Sequence, residues 1–325
     1  MRTDISGIRR VSAAAVTAAA LLAAGALAAP AAQATPQAAP ATAKSAATTA
    51  AKTATAAKTA AKAAPKAPSI VAKGGYVMNN GTGATLFTKA ADTRRSTGST
   101  TKIMTARVVL ANKHLNLDAK VTVQKAYSDY IVSKGASSAH LIVGDKITVR
   151  QLLYGLMLPS GCDAAYALAD KYGTGSTRAA RVKSFIGTMN STAKSLGLKN
   201  THFDSFDGIG NGKNYSTPRD LTKLASNAMK YSTFRTVVKT KSTKQKVTTK
   251  SGGYRYMSWT NTNTLLGTYS GTIGVKTGSG PEAGYCLVFA ATRGKKTVIG
   301  TVLSSSSVSA RTSDAKKLMD YAFKK

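Results

Sequence analysis

Apolar positions take up regular strand or helix spacing only from about residue 69 onward. Val71, Tyr76 to Met78 and Leu86-Phe87 flank Asn79-Asn80-Gly81, which predicts two strands joined by a tight turn. The period then changes. Ile103, Ala106, Val109 and Leu110 share one helix face, and Leu152, Leu153, Leu156 and Met157 share another. Helical spacing continues through Ala164 to Leu168, Val182 to Leu196 and Leu221 to Met229, so the middle of the chain reads as helical. Strand patterns return at Gly271 to Thr277, Tyr285 to Thr292 and Thr297 to Leu303, the last two joined by Arg293-Gly294-Lys295. Ser313 to Phe323 closes the chain as an amphipathic helix. Strands at both ends and helices between them predict an α+β fold. One antiparallel sheet, built from both ends of the domain and flanked by helices, carries an inserted, mainly helical lobe. A cleft between sheet and lobe is where chemistry is expected.

The segment before residue 69 has a different character. Arg2, Arg9 and Arg10 precede an Ala/Leu/Val run from Val11 to Ala29, and Ala32-Gln33-Ala34 follows, the order of a secretory signal peptide over residues 1–34. An uncleaved anchor is the competing reading, although the apolar run is near the lower limit for a span. Residues 35–68 are almost wholly Ala, Thr, Lys and Pro, without an aromatic or an acid, a composition that predicts a disordered tether. One folded domain, residues 69–325, remains. Leu318 to Lys325 ends the chain on a short basic piece, so no C-terminal membrane anchor is expected. The formal net charge is +33, from 46 Lys and Arg against 13 acids. Such a field favours a polyanion, and an exported protein meets anionic wall polymers or a membrane surface before any nucleic acid; no specific nucleic-acid partner is expected. Two cysteines, Cys162 and Cys286, are too few for a disulfide framework. Buried thiols are the simplest reading, with a disulfide or a functional Cys162 as the alternatives.

Ser99-Thr100-Thr101-Lys102 sets a hydroxyl and an amine three residues apart, on neighbouring positions of one helix face. A serine hydroxyl becomes a nucleophile when a neighbour takes its proton, and a lysine does so if burial or nearby positive charge keeps it neutral. Spacing alone is weak evidence, because Ser191/Lys194 and Ser313/Lys316 repeat it. Order is stronger: Ser160-Gly161-Cys162 follows, and then Lys276-Thr277-Gly278.

These three elements match the active-site triplet of penicillin-interacting serine enzymes. The chain resembles the D-alanyl-D-alanine carboxypeptidases, the low-molecular-weight penicillin-binding proteins. The likeness runs from about residue 70 to 325, through STTKIMTA (99–106), Gly144-Asp145, LPSGCDAA (158–165), LGLKNTHF (196–203), YSTPRDL (215–221), NTNTLL (261–266) and GVKTG (274–278). It implies that Ser99 attacks the carbonyl between two D-Ala residues of a peptidoglycan stem peptide, that Lys102 takes its proton, and that Ser160 relays a proton to the departing amine. It further implies a β-lactamase/transpeptidase-like fold, substrate contacts from Cys162, Lys276, Thr277, Gly278 and Ser279, and covalent inhibition by β-lactams. Cofactor and metal are not required by this chemistry. Cell-wall synthesis and cell shape are the implied processes. One departure stands out: most relatives carry Asn where this chain has Cys162, and a thiol cannot supply a carboxamide's paired donor and acceptor.

Two alternatives stay open. A β-lactamase shares the triplet, but the one glutamate, Glu282, follows Lys276 and does not lie between the second and third elements, where a class A enzyme has its water-activating acid. Asp204 and Asp207 lie in that interval and read as structural. A non-catalytic basic module that adheres to wall polymer would account for the charge but has no use for Ser99 with Lys102. Ser-His-Asp chemistry is disfavoured, since His114, His140 and His202 sit in no recognisable triad context. Metal-binding motifs such as HExxH do not occur.

Overall fold

The structure, a computed structural model, describes residues 65–325. The expected signal segment 1–34 and most of the expected tether lie outside the described residues. Among those described, no helix is long and apolar enough to cross a membrane.

A five-stranded antiparallel sheet has the order β2-β1-β9-β8-β7, from β1 (Gly74–Asn79), β2 (Thr85–Lys89), β7 (Thr272–Gly280), β8 (Gly284–Arg293) and β9 (Lys296–Ser305). First and last strands of the domain therefore pair, as the sequence predicts. In β8 and β9 successive side chains serve two cores. Val288, Ala290, Ile299 and Leu303 join the large core of the helical lobe, while Leu287, Phe289, Val298 and Val302 pack with Leu318 and Met319. That alternation follows from the two-residue period of a strand, and burial on both faces explains why these strands read as continuous apolar runs. The closing helix α8 (Val308–Lys324) carries Leu318 and Met319 and covers the second face. Its buried Asp314 accepts from Val71 N (3.0 Å) and Ala72 N (2.7 Å), fixing the entry to β1.

Six of the remaining helices form the body of the lobe and its junction with the sheet: α1 (Lys102–Leu110), α2 (Lys125–Lys134), α3 (Val149–Met157), α4 (Cys162–Tyr172), α5 (Arg178–Ser195) and α6 (Pro218–Ala228). Local sequence sets their starts. Thr148 and Gln151 form a reciprocal capping box on α3. Thr217 accepts from Asp220 N ahead of Pro218, the first residue of α6.

The middle of the chain is not purely helical. After α7 (Ser232–Lys239), strands β5 (Ser242–Thr248) and β6 (Tyr254–Thr260) join β3 (Lys120–Thr122) and β4 (Lys146–Thr148) in a second antiparallel sheet, order β3-β4-β5-β6. Val121, Ile147, Val247, Met257 and Trp259 supply its buried face, and Trp259 Nε1 donates to Ala139 O (2.8 Å). The opposite face exposes Lys120, Lys146, Lys244, Lys246, Tyr254 and Tyr256. Apolar positions this sparse left no helical or strand signature long enough to read.

Candidate active site

Ser99 sits in a one-turn 3-10 segment, Gly98–Thr101, that runs directly into α1. Two glycines let this segment lie against β7. A Cβ on Gly98, whose φ is 48°, would stand 2.8 Å from Ser279 O, and one on Gly278 would stand 2.7 Å from Thr97 O. Only a residue without Cβ permits backbones this close. The segment's start is therefore pressed onto the strand that carries Lys276, Thr277 and Ser279.

Lys102 has no exposed surface. Its Nζ donates to Ser99 Oγ (2.8 Å), Cys162 Sγ (3.2 Å) and the Asp207 carbonyl (3.2 Å). Ser99, Ser160, Thr277, Gly278 and Ser279 line one cleft of about 630 Å³ between sheet and lobe. Ser160 precedes α4 with φ 67° and is 6% exposed, and its Oγ has no hydrogen-bond partner among the described residues. Thr277 shares a 2.6 Å hydrogen bond with Thr262.

Cys162 and Lys276 do not line the cleft. Both are buried behind its wall. Burial holds the Lys276 ammonium well below its usual pKa, with the Lys102 charge and then Arg311 adding to the effect. Burial pushes the Cys162 thiol up, against the opposing pull of Lys102, so the thiol keeps its proton. Both cysteines are free and buried, and the Cys286 thiol is raised by burial to about 11.

Asp207 Oδ2 accepts from Tyr130 OH (2.8 Å) and Oδ1 from Ile209 N (3.0 Å), so its carboxylate organises its own loop. Burial, the Asp207 charge and their hydrogen bond all raise the Tyr130 pKa, which leaves a neutral donor facing a carboxylate. Glu282 is exposed on the hairpin between β7 and β8, at the rim of the cleft. No group of three His, Cys, Asp or Glu among the described residues could hold a metal ion.

Arg311 and the Asp207 carbonyl are parts of the site that sequence reasoning missed. Arg311, 7% exposed, lines the cleft and donates through one Nη to Gly278 O (3.1 Å). A cation in the first turns of α8 opposes the helix dipole, and that mismatch is the signal that could have marked it. A backbone carbonyl leaves no such trace.

The chain is 77% identical over 257 residues to a D-alanyl-D-alanine carboxypeptidase of Streptomyces sp. strain K15, covering 79% of this chain and 88% of that protein. The crystal structure of the Streptomyces K15 DD-transpeptidase superposes with a TM-score of 0.79 at 77% identity, covering 80% of this chain and 99% of the other. More distant is DacF of Bacillus subtilis, a D-alanyl-D-alanine carboxypeptidase 32% identical over 256 residues, of whose length the match spans 62%. DacD of Francisella tularensis shares the fold at 28% identity and a TM-score of 0.70. Residues 59–307 match the D-alanyl-D-alanine carboxypeptidase family as a whole, and the chain belongs to that family of serine peptidases.

Proposed function

We propose that this chain is an exported D-Ala-D-Ala carboxypeptidase or transpeptidase that works through an acyl-enzyme on Ser99. The observation that carries this reading is the buried Lys102 Nζ, 2.8 Å from Ser99 Oγ, at a cleft closed by β7. Lys102 Nζ takes the Ser99 proton as Oγ attacks the carbonyl between the two D-Ala residues. The oxyanion forms between the backbone N–H groups of Ser99 and Ser279; losing one such donor typically costs about 3 to 4 kcal/mol. The C–N bond then breaks, and Ser160 Oγ relays a proton to the leaving amine. Lys276 supports that network from behind the wall, and Thr277 and Arg311 bring a hydroxyl and a cation to the substrate's terminal carboxylate. Water completes hydrolysis and a peptide amine completes transfer.

A β-lactam takes the same path into Ser99 and stays. The nearby carboxylates support this: that of Asp207 is occupied by Tyr130 and Ile209 N, and Glu282 lies exposed at the rim. Residues 1–34 act as the export signal, 35–68 as the tether and 69–325 as the catalytic domain, and the product is a wall-associated enzyme. Electrostatic contact with anionic wall polymer fits the outer face of the second sheet, whose four strands hold exposed lysines and no acid.

Incubation with a diacetylated Lys-D-Ala-D-Ala peptide, with and without an amine acceptor, tests the reading. It predicts release of D-Ala in both cases and a new amide only with the acceptor. Release that persists undiminished in Lys102→Met would count against it.

A further inference from the structure

A second cleft, of about 440 Å³, shares Ser96, Pro281 and Glu282 with the catalytic one. Its walls come from four places in the chain: Lys73 at the entry to β1, Arg94 and Arg95 ahead of the Ser99 turn, Pro281, Glu282 and Gly284 at the hairpin between β7 and β8, and Ser304, Ser305 and Ser306 at the end of β9. The frame is built before any ligand arrives. Arg95 exchanges backbone hydrogen bonds with Ser216 (2.8 and 3.0 Å), and Lys73 N donates to Ser304 O (3.3 Å). Arg94 is held through Nε to Asn200 Oδ1 (3.2 Å) and lies over the Tyr215 ring.

Two buried polar groups in this frame have nothing to bond. Ser305 is 2% exposed and its Oγ has no partner among the described residues. The same holds for Arg95 Nε, although the guanidinium donates from Nη2 to Lys73 O (3.1 Å). A buried hydroxyl left unpaired costs free energy, and a ligand that accepts from Ser305 relieves it; Arg95 Nε instead stands against β1, 3.1 Å from where a Cβ on Gly74 would lie. Three cations and four hydroxyls against one acid call for an oxyanion. Glu282 at the shared rim sets its charge: it repels a phosphate dianion more strongly than a carboxylate, whose planar oxygens also match an arginine fork.

We infer that this cleft is a subsite for a peptide carboxylate, distinct from the one received at Thr277. Shared walls set it beside the catalytic cleft, so that a carboxylate-bearing peptide held here lies alongside the chain being processed at Ser99. That second statement rests on the function proposed above. The affinity for a carboxylate does not.

The Arg95 Nε–Hε resonance of uniformly ¹⁵N-labelled protein reports this cleft directly, whatever happens at Ser99. Titration with N-acetyl-D-alanine is expected to shift that resonance saturably, while its neutral amide leaves it in place and inorganic phosphate binds more weakly. Ser305→Ala is expected to weaken the carboxylate about tenfold, the worth of one hydrogen bond to a charged group. An Arg95 signal that does not move, one that moves equally with the amide, or tighter binding of phosphate would each overturn the inference, and none of them bears on acylation of Ser99.

Discussion

Lys102 is a lysine without exposed surface whose contacts are a hydroxyl, a thiol and a carbonyl, none of them an anion. The thiol is the unusual partner. An asparagine at 162 would offer a carbonyl to Lys102 and an amide to substrate, and Cys162 offers neither. We expect Cys162→Asn to raise hydrolysis relative to transfer about tenfold, the worth of one added hydrogen bond, measured as the ratio of free acid to new amide at fixed acceptor concentration. An unchanged ratio removes Cys162 from any role in choosing the acceptor. At this scale the sequence displayed what side-chain identity carries: Ser99, Lys102 and Ser160 stand in spaced motifs. It was silent on the Asp207 carbonyl, because every residue has one.

Elements bring these groups together through close backbone contact more than through side-chain reach. Gly278→Ala would set a methyl 2.7 Å from Thr97 O and push the Ser99 turn off β7. Displacing a nucleophile by about 1 Å can cost roughly 100-fold. Acylation by penicillin should fall by about that factor while far-UV circular dichroism stays native; an unaltered rate would show that the contact does not position Ser99. Thr217 acts differently, as the cap of α6. Thr217→Ala should lower unfolding free energy by about 1 kcal/mol in urea titration. The strands of the large sheet were legible because β8 and β9 are apolar over most of their buried length and their pairing needs only a short turn. β3 and β4 hold three residues each, and Ser242–Thr248 buries only Val247 among lysines and threonines, so the small sheet forms from contacts that no local period announces.

Across the whole molecule, the lowered pKa of Lys276 links stability to pH. Between that lowered value and the ordinary 10.5, the unfolded chain carries a proton that the folded protein lacks. Stability from this residue is therefore complete above 10.5 and is lost as pH falls toward the folded value. Melting temperatures at about pH 7 and about pH 9 should show less of this rise in Lys276→Met than in wild type, and equal slopes would mean that Lys276 is charged in the fold. Charge acts over the same scale: any attraction of a chain of formal charge +33 to an anionic polymer weakens with salt whether or not the enzyme is active. Adhesion therefore cannot separate an enzyme from a binding module, but covalent chemistry can. The most direct measurement is the intact mass of the protein after brief exposure to benzylpenicillin, with the adduct located by peptide mapping. The account predicts one long-lived penicilloyl group on Ser99 and none on Ser99→Ala; an adduct that survives that substitution, or rapid turnover with no adduct, would contradict it.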